Sequence, residues 1–154
     1  MRPRHWISGV VLSVGLFLTT PIASAGPKED VGAATAKWAE AFSENSVEKV
    51  VVLYGKDGVL WGTVSPTVRA DPAAIRAYFE ASFKTFPGVK ASLGDQLIRV
   101  YGDTAVNTGN YSFSFVKDGE TKTIPARFSF TYVKDGQNWA IVDHHSSLMP
   151  PPPK

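Results

Sequence analysis

From Val31 onward the apolar residues Val31, Ala34, Trp38, Ala41 and Phe42 recur at helical spacing, with Lys37, Glu40 and Glu44 on the positions between. That period predicts an amphipathic first helix, preceded by a polar leader from Gly26 to Asp30. Asn45-Ser46 closes it, and Ser46 can cap a second short helix with Val47, Val50, Val51 and Tyr54 on one face. Gly55-Lys56-Asp57-Gly58 reads as a turn, Val59-Leu60-Trp61 as a short strand, and Thr63 to Arg69 as a loop without a period. Asp71-Pro72 then places a favoured N-cap before a residue preset for the first helical position. The third helix carries Ile75, Tyr78, Phe79, Phe83 and Phe86 on one stripe, and Pro87-Gly88 stops it.

After Gly88 the period changes to two. Leu97–Tyr101 turns at Gly102-Asp103 into Thr104–Val116, where Tyr111, Phe113 and Phe115 alternate with Asn110, Ser112 and Ser114. Lys117-Asp118-Gly119 and Lys134-Asp135-Gly136 are near-identical turn signals, each suited to a three-residue hairpin with a left-handed glycine. Between them runs one long strand, Glu120–Val133, and the closing strand starts at Trp139 and runs into His144 and His145. Helices first and a meander afterwards predict an α+β domain over residues 26–150, with three helices on one face of a curved antiparallel sheet and a pocket at its open end. Residues 151–154 continue a proline-rich, extended tail.

Composition narrows what such a domain could do. Met1 to Ala25 has a basic start, an apolar run from Trp6 to about Leu18 and the small-residue ending Ala23-Ser24-Ala25, the pattern of a secretory signal cleaved after Ala25. The expected location is therefore periplasmic or secreted. The apolar run falls well short of the roughly 20 residues that span a bilayer, so no membrane partner is expected after cleavage. Losing Arg2 and Arg4 takes the 16 basic residues to 14, against 14 acidic ones, which removes the argument for nucleic acid as a partner. With no cysteine, disulfides, thiolate metal sites and a cysteine nucleophile are excluded.

The closing strand, Trp139 to Pro150, resembles that of bacterial proteins of the SgcJ/EcaC type in the nuclear transport factor 2-like (SnoaL-like) superfamily. Leu60-Trp61-Gly62-Thr63-Val64-Ser65-Pro66 and Ile75-Arg76-Ala77-Tyr78-Phe79 are similar to the same group. The pattern is also related to the association domain of calcium/calmodulin-dependent protein kinase II, an oligomerisation hub. The resemblance implies a cone-shaped α+β fold with a pocket between helices and sheet, assembled as a homodimer or larger ring. It implies little about chemistry, because one fold hosts isomerases, dehydratases, transport factors and scaffolds. No glycine-rich dinucleotide motif supports the oxidoreductase label used for the SgcJ/EcaC group, and no cofactor is expected.

Candidate chemistry centres on the closing strand. Adjacent strand residues face opposite sides, so His144 and His145 cannot share one metal, and no metal site is expected. If Lys134-Asp135-Gly136 is a three-residue loop, Val133 pairs with Gln137 and Arg127 falls opposite Asp143. That register gathers Arg127, Ser129, Thr131, Trp139, Ile141, Asp143 and His145 on the pocket face and Phe128, Phe130, Tyr132, Val142 and His144 on the other, and a one-residue slip would exchange the faces of one strand. The resembling association domain likewise carries an arginine on this strand that faces its pocket.

On this register Asp143 or His145 is a candidate general base and Arg127 a candidate ligand anchor, with Tyr54, Trp61, Tyr78, Tyr111 and His144 as further ligand-binding candidates. Each has a plainer alternative: Arg127 and Asp143 as a simple cross-strand ion pair, His145 as a hydrogen-bonded core residue, Tyr54, Trp61 and Tyr78 as core packing. Neighbours on one strand cannot form a Ser-His-Asp relay with Ser146 or Ser147. The functional expectation is an exported, oligomerising pocket protein for a small organic ligand; the alternative is a cofactor-independent lyase or isomerase. Oligomerisation is expected through an uncovered face bearing Phe128, Phe130 and Tyr132, too large an apolar patch to leave in water.

Overall fold

The computed structural model describes residues 26–153, so the expected export signal at residues 1–25 lies outside the described residues. Three helices, α1 (Pro27–Ser43), α2 (Val47–Val51) and α3 (Pro72–Thr85), accompany five strands. These are β1 (Tyr54–Trp61), β2 (Lys90–Tyr101), β3 (Thr104–Lys117), β4 (Glu120–Asp135) and β5 (Asn138–Leu148). The strands form one open sheet in the order β1-β5-β4-β3-β2. The α+β architecture is as expected, with one correction: β1 lies parallel to β5, so the sheet is mixed.

Local chemistry explains most element boundaries. The polar leader turns out to be the first turn of α1, because Pro27 suits the first helical position and Glu29 and Asp30 favour a helix N-terminus. That turn projects into solvent, which is why no apolar period marks it. Ser46 caps α2 through the Lys49 N–H, and the Asp71 carboxylate accepts from Ala74 N–H at 2.8 Å to start α3. Asn45, left-handed at φ 56°, donates from its amide to Val89 O at 2.8 Å and accepts from Gly88 N–H at 2.7 Å, tying the end of α1 to the turn after α3. Gly55–Gly58 is an irregularity inside β1 rather than a turn.

Both hairpins use two-residue loops, not three. Lys117 pairs with Glu120, leaving Asp118 and Gly119 at φ 56° and 78°, and Asp135 pairs with Asn138 across Gly136-Gln137. Positive φ at the first loop residue matches the right-handed twist of the flanking strands, which a tight loop exploits. A further irregularity at Val142 adds another residue of slip: Tyr132 opposes Ile141, but Thr131 opposes Asp143. The expected register is therefore wrong, and Arg127 lies opposite Ser147, its Nε–H donating to the Ser147 hydroxyl at 3.2 Å.

The faces change accordingly. Phe128, Phe130 and Tyr132 are 4%, 0% and 0% exposed, because theirs is the face the helices cover; the expected uncovered aromatic patch does not exist. The irregularity at Val142 lets Trp139 and Ile141 before it, and His144 and Ser146 after it, all turn inward. Trp38 of α1 sits at the centre of this interior, stacked on Phe42 at 5.2 Å and edge-on to Phe130 at 5.3 Å and His144 at 5.0 Å.

Candidate functional site

The interior is not filled to its end. Between α3, the β1–α3 connection and the ends of β3 and β4 lies a cavity of about 480 Å3. Phe86, Phe113, Phe115 and Ile124 give it apolar walls, and Ala77 and Ala81, one turn apart on α3, take up little of its space. Thr63, Ser65, Ser82 and Thr85 contribute hydroxyls and Arg69 the one charge in the lining. A smaller void of about 20 Å3, room for about one water, lies deeper and shares Phe42, Thr63, Tyr78 and Phe113 with it. Tyr78 is thus the partition between the two spaces. Its ring lies against the backbone of Gly62, where a Cβ would come within 2.4 Å of the ring, so a side chain here would require the ring to move.

Behind that partition is a chain of polar groups in an aromatic box. The Trp38 indole N–H donates to the Tyr54 hydroxyl at 3.2 Å; that hydroxyl lies 2.8 Å from His144 Nδ1, and His144 Nε2 lies 3.3 Å from the Tyr111 hydroxyl. Indole can only donate, so the Tyr54 hydroxyl accepts from Trp38 and its own proton is free for His144 Nδ1; in that tautomer Nε2 carries the ring proton and points at Tyr111. Thr63 and Ser146 hydroxyls hydrogen-bond to each other beside the Tyr111 hydroxyl.

Burial governs the electrostatics here. It drives the His144 pKa down to about 3, with the adjacent His145 adding to the effect, so the ring is neutral at physiological pH. The same burial raises the Tyr54, Tyr111 and Tyr78 hydroxyls above their ordinary range. For Tyr78, hydrogen bonding to Ser82, the Arg69 charge and the Thr63 backbone oppose that rise. The site is a set of neutral hydroxyls and one neutral imidazole, equipped to hydrogen-bond and poorly equipped to take up a proton.

The expected site residues divide sharply. Tyr54, Tyr111 and His144 meet in the deep cluster, and Tyr78 guards it. Trp61, 45% exposed and paired with His145 across β1 and β5, is not part of it. Arg127, Asp143 and His145 do share a face, as expected, but it is the outer one; Arg127 and His145 are exposed and Asp143 half-buried. Their placement on the pocket face is overturned because the helices cover the opposite face of β4, the one that carries Phe128, Phe130 and Tyr132. His144 has tyrosines, not serines, on both nitrogens, so no Ser-His relay forms. Among the described residues no cluster of three or more His, Asp and Glu side chains could hold a metal, and no helix is long and apolar enough to cross a membrane.

Trp38, Thr63, Ser146 and Arg69 were not foreseen as site residues. Ser146 carried a usable signal, since it stands two positions beyond His144 on one strand. Arg69 carried none, because its loop has no period.

A model of the SnoaL-like domain matches residues 31–152. Among solved structures, the chain is similar to a Xanthomonas campestris protein named for the calcium/calmodulin-dependent protein kinase II association domain. The two are 36% identical with a TM-score of 0.73, over 86% of this chain and 94% of that one. A Streptomyces avermitilis protein of the NTF2-like family, named for a dehydratase, is 17% identical with a TM-score of 0.73, over 80% and 97%. The S. rosetta CaMKII hub is 20% identical with a TM-score of 0.68, over 82% and 100%. At those lower identities the likeness is one of fold alone. The chain matches none of the curated proteins.

Proposed function

The chain belongs to the SnoaL-like domain family, with an NTF2-like, cystatin-like fold, and from that premise we propose that it is an exported protein that binds a small organic molecule and associates with copies of itself. The observation that carries the binding reading is the 480 Å3 cavity, apolar on its walls and with the hydroxyls of Thr63, Ser65, Ser82 and Thr85 in its lining. That volume and that mix of surfaces are those of a small-molecule site. Export is supported by the pattern of Met1 to Ala25, and N-terminal sequencing that finds Met1 retained on exported material would sink it.

Binding is favoured over catalysis by the state of the ionisable groups. A general base works best with a pKa near the operating pH, and His144, near 3 and engaged at both nitrogens, is far from that. Asp143 and His145, the bases a lyase or isomerase would have used, face away from the cavity. Self-association rests on the 36% identical relative named for an association domain. Native mass spectrometry of protein purified from periplasm tests both parts. A multiple of the chain mass carrying a small-molecule adduct is expected; a bare single chain contradicts the reading.

A further inference from the structure

The cavity carries one charge and nothing inside it balances that charge. Arg69 is half-buried, and of the residues that line the cavity it alone is ionised. No carboxylate among the described residues lies within ion-pair distance of it, whereas Arg76 is paired with Glu48. Its backbone is pinned to the edge of β1 by two hydrogen bonds with Leu60, at 2.8 and 2.9 Å, so it is held by the sheet although it lies in a connection.

The side chain is also aimed. Nη1 donates to Thr67 O at 3.0 Å, to the Thr67 hydroxyl and to Val68 O at 3.3 Å, which uses that end of the guanidinium completely. The carbon of the group lies 5.9 Å from the centre of the Tyr78 ring, the same ring that walls the cavity. Nε and Nη2 have no partner among the described residues. Together they present the parallel pair of N–H donors that fits a carboxylate.

We infer that Arg69 is the anion anchor of this pocket, so that its occupant is a largely apolar molecule bearing a carboxylate, with the acid group at Arg69 and the body between α3 and β3. The inference rests on the binding reading above and names its ligand class. Thr63, whose hydroxyl bonds that of Ser146 in either direction, also lines the cavity, while Phe113 and Phe115 give it apolar wall for the body of the ligand. A neutral ligand would leave the guanidinium without a counter-charge as the cavity fills, the costlier arrangement.

The test uses three naphthalene probes on the whole protein. N-phenyl-1-naphthylamine, neutral and fluorescent in apolar surroundings, reports the cavity itself; 2-naphthoate and 2-naphthamide, equal in shape and different in charge, compete for it at pH 7. Wild type should bind the fluorescent probe and prefer naphthoate over naphthamide by about tenfold or more, the order of one charge-assisted pair. Arg69→Gln should abolish that preference while leaving the affinity for the neutral probe within about twofold, and Arg69→Lys, which keeps the charge but not the paired donors, should fall between. Arg127→Gln, on the outer face, should change neither. If wild type does not take up the fluorescent probe, the pocket reading fails and this inference with it. If it does, but shows no preference for the acid, or keeps that preference in Arg69→Gln, the pocket stands and Arg69 is not its anchor.

Discussion

His144 and His145 are joined by one peptide bond and inhabit different chemical worlds. His144 is 2% exposed, wrapped by Trp38, Phe130, Tyr54 and Tyr111, and uncharged. His145 is exposed on the far face of the sheet, among Arg127, Ser129, Asp143 and Ser147. The inner face is aromatic and tightly hydrogen-bonded, and it opens into the cavity; the outer face is built of short polar side chains with loose partners. A residue's chemistry on this sheet is therefore set by which side its strand position takes. The difference predicts that substitutions should be felt very unequally on neighbouring positions.

The largest contrast lies between Phe130 and Arg127. Phe130→Ala empties the space between Trp38, Tyr132 and His144 and should destabilise by about 3–5 kcal/mol. Arg127→Ala should stay within about 0.5 kcal/mol, since it loses one exposed hydrogen bond. Urea denaturation of both variants is the check, and equal losses would break the distinction between the faces.

The next contrast is one of pH. With a folded pKa of about 3 and an ordinary unfolded value of 6.5, His144 binds its proton only in the unfolded chain between those limits. Stability contributed by the neutral ring is thus present in full above pH 6.5 and falls as pH drops, by up to about 1.4 kcal/mol per unit, until about pH 3. Between pH 6.5 and 5, above the usual carboxylate range, His144→Gln should remove most of that slope. An unchanged slope in His144→Gln would mean that the buried ring is not the group responsible.

Gly62→Ala is a smaller probe of the inner face. The new Cβ drives the Tyr78 ring from its seat, which should reduce stability by about 1–3 kcal/mol and alter the cavity entrance. Probe affinity and urea midpoint measured together would show it, and an unaltered midpoint would mean that Tyr78 moves aside freely. The smallest effect concerns the outer face. Arg127 opposes Ser147, which is four positions from Asp143 on β5, so a double-mutant cycle of Arg127 and Asp143 should give a coupling within error of zero. A coupling above about 1 kcal/mol would restore the register in which they pair.

What could be seen in the sequence, and what could not, follows from how far each signal reaches. Helical caps are local, so Ser46 and the Asp71-Pro72 start were legible, and so was the alternation of β3 that brings Tyr111 and Phe113 to one side. The cluster of Tyr54, Tyr111 and His144 was legible as residue types worth watching. Register was not, because it accumulates errors. The hairpin loop shifts the pairing by three residues and the irregularity at Val142 by one more, and together they carry the partner of Arg127 from Asp143 to Ser147. The parallel pairing of β1 was hidden by Gly55 and Gly58, which look like a turn. Arg69 was hidden for the opposite reason: its position depends on a bridge to Leu60 and a ring from α3, neither written near it in the chain.

The central claim is that this protein takes its ligand on the inner face, between α3 and the sheet. Amide chemical-shift mapping with N-phenyl-1-naphthylamine addresses it residue by residue. The account predicts shifts concentrated at Thr63, Arg69, Tyr78, Ala81, Phe113 and Phe115, with Arg127, Asp143 and His145 unmoved. Shifts centred on Arg127, Asp143 and His145, with the α3 amides still, would contradict it.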